Sequence, residues 1–179
     1  MNFALRLGTL LAPTLVSVQT EVFEIDETLI DGVYSEGHGR VWKQWVIGIL
    51  QRSDRRLYVQ RVPDRTQPSL CPVVRDHVPA GSLICTDQHA GYNPLHEDYR
   101  RYTVNHSIKE FQRIDQLDDG TSLLVTINHL EDAWSELKAS LVGHAPREVM
   151  RLDRRLKVLM FRHSGRTVLI CLLRRSRRQ

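Results

Sequence analysis

Long apolar runs are missing from this chain: no stretch approaches the roughly 20 apolar residues that a membrane-spanning helix needs, so a helical span is excluded. Paired cysteines are missing too. Cys71, Cys85 and Cys171 are odd in number and far from any C-x-x-C spacing, which excludes a disulfide framework and a zinc ribbon and suits a reducing compartment. No internal repeat is present, and no low-complexity tract apart from an Arg-rich end, so a solenoid is excluded. The rest is ordinary for a globular protein: 179 residues, 41% hydrophobic and 26% charged, enough for one domain with a sizeable core. The net charge of +4 is modest but unevenly placed. Arg174, Arg175, Arg177 and Arg178 crowd the C-terminal end, where a solvated tail, a phosphate contact and a nuclear-import signal are all open readings. Residues 1–20 carry Arg6 ahead of Leu10, Leu11, Leu15 and Val18 and loosely resemble a signal peptide, the sole basis for a reading as a secreted binding protein. Pro13 interrupts the run and no small-x-small cleavage site follows, so secretion is not expected.

The alternation of Phe23 and Ile25 with Glu24 and Asp26 predicts a half-buried strand over Glu21–Asp26. Asp31-Gly32 and Gly37-His38-Gly39 predict a loop, Trp42–Leu50 a second strand, and Leu57–Val62 a third that completes an antiparallel meander. Thr66–His77 reads as a helix whose Pro68 and Pro72 are tolerable only near its first turn. A strand over Ser82–Thr86 leads into Asp87, a helical turn through Ala90 and Tyr92 follows, and Tyr99–Val104 forms another strand. A polar, acidic stretch near residues 115–120 separates these from a helix over Ile127–Leu141, whose Leu130, Trp134, Leu137 and Leu141 make an apolar stripe. This succession predicts an α/β, RNase H-like fold: a mixed sheet with a three-stranded antiparallel meander and flanking helices. Residues 1–20 are a leader of uncertain structure, 21–145 the expected domain, and 146–179 a helical extension with the Arg-rich tail.

With 21 Asp and Glu residues in the chain, three acids chosen freely mean little, and position supplies the specificity. Asp26 ends the first strand, Asp87 the fourth, and Glu131 lies on the long helix, where such a sheet gathers residues distant in sequence. In-line attack on a phosphodiester is helped by two metal ions about 4 Å apart that stabilise the attacking and leaving oxygens, and Mg²⁺ prefers carboxylate and water ligands. Asn128, Glu131, Ser135 and Lys138 recur at helical spacing and share one face, which brings Lys138 within reach of a phosphate held at the metals. Singly, each acid also has an ordinary reading: Asp26 as a strand-end residue, Asp87 as a turn cap, Glu131 as a solvated helix charge. Glu24 and Glu27 flank Asp26 as candidate supporting groups, with Glu27 expected to face solvent. No spacing among His38, His77, His89, His106 and His129 indicates a zinc site.

Six blocks in order make the chain resemble the ISXO-type insertion-sequence transposases and their Merlin relatives. They are Glu24-Ile25-Asp26-Glu27-Thr28, Trp45-Val46-Ile47-Gly48, Val62-Pro63-Asp64-Arg65-Thr66, Pro79-Ala80-Gly81-Ser82 with Thr86-Asp87 and Tyr92, Val104-Asn105-His106-Ser107, and Asn128-His129-Leu130-Glu131 with Trp134-Ser135-Glu136-Leu137-Lys138. The resemblance covers roughly residues 22–143. It implies a DDE transposase catalytic domain with Asp26, Asp87 and Glu131 as catalytic metal ligands and Mg²⁺ or Mn²⁺ as cofactor. It further implies that Lys138 and Asn128 touch DNA, with the C-terminal arginines as additional contacts. Expected partners are transposon ends and target DNA, with a homodimer an open option and no membrane. The expected compartment is the nucleus in a eukaryotic host and the cytoplasm in a bacterial one. The chain departs from the family pattern at Asp132-Ala133 and Thr126-Ile127, and only a short leader precedes the first strand. The alternative is a truncated or domesticated derivative that keeps a DNA or protein interaction surface and no longer transposes.

Overall fold

The computed structural model describes residues 21–34, 41–141 and 149–164. Strands β1 (Val22–Tyr34), β2 (Val41–Gln51) and β3 (Leu57–Val62) form the antiparallel meander, followed by helix α1 (Gln67–His77). Strand β4 (Leu83–Asp87), a 3₁₀ segment (Ala90–Glu97) and strand β5 (Arg100–Val104) come next. A hairpin of β6 (Gln112–Gln116) and β7 (Ser122–Thr126) leads into α2 (Asn128–Leu141), and α3 (Val149–His163) closes the described chain. The main sheet has the order β3-β2-β1-β4-β5, with β4 parallel to both β1 and β5. The predicted mixed sheet, meander and flanking helices are all present, and this strand order is the RNase H-like one.

The period-2 pattern of the strands sorts their side chains onto two covered faces. Phe23, Ile25, Ile47 and Ile49 pack under α1 and the 3₁₀ segment with Leu70, Val74 and Leu95. Val46, Leu50 and Val59 pack on the other face against Leu130, Trp134 and Leu137 of α2 and Leu152, Leu156 and Leu159 of α3. Beside α2, the hairpin lays Leu123 and Val125 over Leu83, Cys85 and Val104.

Three local expectations are corrected. Asp31-Gly32 is not a loop: β1 runs through it to Tyr34, and the register against β2 shifts between Ile30 and Val33, so the pair is absorbed as an irregularity within a long strand. The polar, acidic stretch near 115–120 ends β6 and makes the tight turn into β7, where Leu117 N–H bonds the Thr121 carbonyl and Gly120 takes a positive φ of 79°. Pro72 lies inside α1 beyond its first turn and is exposed, so the backbone bond it cannot make is lost on the solvent side.

One glycine sets how closely α2 approaches the sheet. Gly48 pairs with Asp26 across β2 and β1, and a Cβ there would lie 2.6 Å from the Trp134 ring and 2.9 Å from a Leu130 methyl. Only a residue without a side chain lets the indole lie flat against this point of the sheet. Gly48→Ala is therefore predicted to lower stability by about 1–3 kcal/mol through overpacking. Urea unfolding checks this, and an unchanged midpoint contradicts it.

Candidate active site

Two parallel strands bring the first two acids together. β1 and β4 pair from Val22↔Leu83 to Glu24↔Cys85, and the same register carried two residues further sets Asp26 abreast of Asp87. There β4 ends. Carboxylate oxygens of Asp26, Glu27 and Asp87 lie within 4.8 Å of one another.

Each member of this cluster is held. The Trp134 indole N–H donates to Asp26 Oδ2 at 2.9 Å, the contact that Gly48 makes possible. Burial, followed by the charges of Glu27 and Asp87, pushes the Asp26 carboxyl up to about 7, against the lowering effect of the indole bond. Asp87 Oδ1 accepts the His89 N–H at 2.9 Å, tying the acid to the turn behind β4, and the Asp87 carbonyl accepts from the Arg101 guanidinium at 3.0 Å. Glu27 does not face solvent as expected. Because β1 continues past Asp26, Glu27 falls on the face covered by α1 and the 3₁₀ segment, with 7% exposure. Its carboxylate accepts from the Tyr92 hydroxyl and from Arg65 Nε, the latter at 2.5 Å. Tyr92 is fully buried, and that burial, with Glu27 beside it, holds the phenol well above its usual range, so it remains a donor.

Glu131 is placed differently. Its carboxylate is not among the three that cluster; it lies 3.5 Å from His106 Nδ1 and is 41% exposed. It sits on α2 one turn before Trp134, so the helix that carries it also holds Asp26. The start of that helix is fixed by Glu24, whose fully buried carboxylate accepts from the Leu130 N–H at 3.3 Å and from Arg52 Nε at 2.8 Å. His129 Nδ1 lies 2.7 Å from the same carboxylate. Arg52 also donates to the carbonyls of Leu124 and Thr126, joining β2 to β7. Asn128, half-buried, has its backbone N–H on the Thr126 hydroxyl, and Lys138 is exposed two turns along α2 from Glu131. The leader, His38 and Arg174, Arg175, Arg177 and Arg178 lie outside the described residues.

Sequence reasoning missed Glu27 as a member of the cluster, together with Arg65 and His106. The extent of β1 was the signal for Glu27. Phe23, Ile25, Leu29 and Ile30 carry strand-forming side chains well past Asp26.

An RNase H-like sheet that sets an acid within β1 beside an acid at the end of β4 defines a class. A family profile described as the ISXO2-like transposase domain matches residues 20–164. The chain belongs to that family. No curated protein matches it. Among solved structures it is similar to the catalytic core domain of BIV integrase, at 10% identity and a TM-score of 0.43, over 79% of this chain and 81% of that one. Among the described residues, no helix is long and apolar enough to cross a membrane.

The raised Asp26 carboxyl has a definite consequence for stability. The folded protein keeps a proton up to about pH 7 that the unfolded chain releases near 3.8, so the folded state binds more protons between these values. Stability of the metal-free protein is therefore greatest, as far as this group is concerned, below pH 3.8 and falls as the pH rises to 7, by at most about 4 kcal/mol. Urea unfolding in EDTA between pH 5 and 8 is predicted to show this decline, and Asp26→Asn is predicted to flatten it. An equal slope in the variant contradicts the assignment.

Proposed function

We propose that this domain cleaves DNA strands and joins them elsewhere with the help of divalent metal, as a DDE transposase catalytic domain. The observation that carries this reading is the meeting of Asp26 and Asp87 where β1 and β4 part, in a chain of this family. The donor set fits a hard dication: it is all carboxylate oxygen, and a cation there would offset the burial and the neighbouring charges that hold the Asp26 carboxyl up. Asp26, Asp87 and Glu131 would hold Mg²⁺ or Mn²⁺. Bound there, such ions stabilise charge on the attacking and leaving oxygens of an in-line displacement.

The protein's own residues supply position. Trp134 fixes the Asp26 carboxylate, the His89 N–H fixes Asp87, and Glu24 fixes the helix that bears Glu131. Lys138 and Asn128 line α2 as contacts for the DNA backbone, and the C-terminal arginines extend that contact to transposon ends or target. In the first step water attacks phosphorus, the bond to the 3′ oxygen breaks, and a 3′-hydroxyl is released. In the second, that hydroxyl attacks a target phosphodiester, whose own 3′ oxygen leaves. A homodimer would hold two ends together, and the compartment would be that of the host's DNA.

A second reading has one observation behind it. Glu131 is turned to His106 and not to the acids, as in a derivative that has kept the fold as a DNA or protein interaction module and no longer transposes.

Incubating the full chain with end-labelled DNA and Mg²⁺ or Mn²⁺ separates the two. The catalytic reading predicts nicked product from the wild type and a loss of at least about 100-fold in Asp87→Ala and in Glu131→Ala. No product from the wild type, or equal product from Asp87→Ala, contradicts it.

A further inference from the structure

Arg65 stands at the junction of β3 and α1 and is anchored at three points, two on its side chain and one on its backbone carbonyl. Its Nε donates to Glu27 Oε1 at 2.5 Å, with Nη2 beside the same carboxylate. Its guanidinium carbon lies 4.9 Å from the centre of the Trp45 ring, which fixes the plane of the group. Its carbonyl is 2.8 Å from His89 Nε2, and Gly91 allows this approach, since a Cβ there would lie 2.5 Å from that carbonyl oxygen. The backbone on either side of the residue is therefore as fixed as the side chain.

A partner needed only to neutralise buried Glu27 would be covered with it. Arg65 is instead 36% exposed, and its Nη2 reaches to 3.8 Å from Asp87 Oδ2. Nη1 has no hydrogen-bond acceptor among the described residues. The guanidinium thus has its Nε–Nη2 edge on Glu27, with Nη2 also facing Asp87, and keeps Nη1 without an acceptor among the described residues. A rigid fork of N–H donors with delocalised positive charge matches the oxygens of a phosphodiester. Glu27 holds the guanidinium more closely than Asp87 does, which stands 3.8 Å from Nη2.

We propose that Arg65 is a phosphate-binding residue of this site. It takes a non-bridging oxygen of the DNA strand held at Asp26 and Asp87 from the α1 face of the sheet, while Lys138 approaches from the α2 face. Glu27 and Trp45 act through Arg65 as positioning residues. The assignment rests on the DNA-processing reading above and adds a contact to it.

The test reads DNA binding separately from cleavage. Anisotropy of a labelled short duplex is followed with the full chain in Ca²⁺ between 50 and 200 mM salt, and nicking is followed in Mg²⁺. Each phosphate contact contributes about 0.9 to the slope of log K against log salt. Arg65→Ala is expected to reduce the slope by about one. Arg65→Lys is expected to keep the slope but lose about tenfold in the maximal nicking rate, because it keeps the charge without the fork. Arg75→Ala, which removes an α1 arginine paired with Asp98 away from the acids, is expected to leave the slope unchanged. If Arg65→Ala does not fold, Arg65→Lys decides, and a wild-type nicking rate in it overturns the proposal. A wild-type slope in folded Arg65→Ala, or an equal loss in Arg75→Ala, also overturns it while leaving the DNA-processing reading standing. Absence of DNA binding by the wild type brings down both.

Discussion

The buried carboxylate of Glu24 ties the helix that carries Glu131 to the strand that carries Asp26. It accepts from a backbone N–H in the first turn of α2 and from Arg52, with His129 on the same oxygen, and Arg52 in turn grips two carbonyls of β7. A carboxylate with no exposure is tolerable only because it is paired and hydrogen-bonded; removing one partner from such a buried pair typically costs about 3–5 kcal/mol. A negative charge at a helix N-terminus also meets the favourable end of the helix dipole. β1, the end of β2, β7 and the start of α2 are thereby fixed at one point, two residues along β1 from Asp26.

Beyond that anchor the molecule is under electrostatic tension. Asp26, Glu27 and Asp87 are brought together around the parallel register of β1 and β4, and burial, followed by the charges of Glu27 and Asp87, disfavours ionisation of Asp26. Two internal devices moderate the repulsion. The Trp134 indole stabilises charged Asp26 by donating to it, and Arg65 stabilises Glu27. Burial and the neighbouring charges keep the Asp26 carboxyl raised despite its indole bond, a preference that a cation placed there reverses. Carboxylate oxygens gathered on paired strands in this way suit the proposed cation.

The architecture was legible because its elements follow simple periods. The alternation in β1, the apolar runs of β2 and β3 and the stripe of α2 gave the sheet and its main helix, and the expected neighbourhood of Asp26 and Asp87 holds through the parallel register of β1 and β4, although β1 does not end at Asp26. What escaped depends on contacts that no local pattern encodes. Asp31-Gly32 carries turn chemistry, yet tertiary pairing with β2 overrides it, and Glu27 was lost with the truncated strand. The β6–β7 hairpin was hidden because Ile114 and Leu124 are apolar on its exposed face, which blurs the alternation that marks a half-buried strand. Arg52 reaches Glu24 across 28 residues and Thr126 across 74, and His106 meets Glu131 from another element altogether. Periodicity can assign such residues to an element, but not to a partner.

The central claim is that Asp26 and Asp87 form a cation site that Glu131 completes by leaving His106. Anomalous scattering from a crystal of the full chain soaked in Mn²⁺ tests it most directly. The expected result is a peak at the carboxylates of Asp26 and Asp87, with Glu131 turned toward it. A map with no peak at that cluster, or with Mn²⁺ bound elsewhere and the acids unliganded, would contradict it.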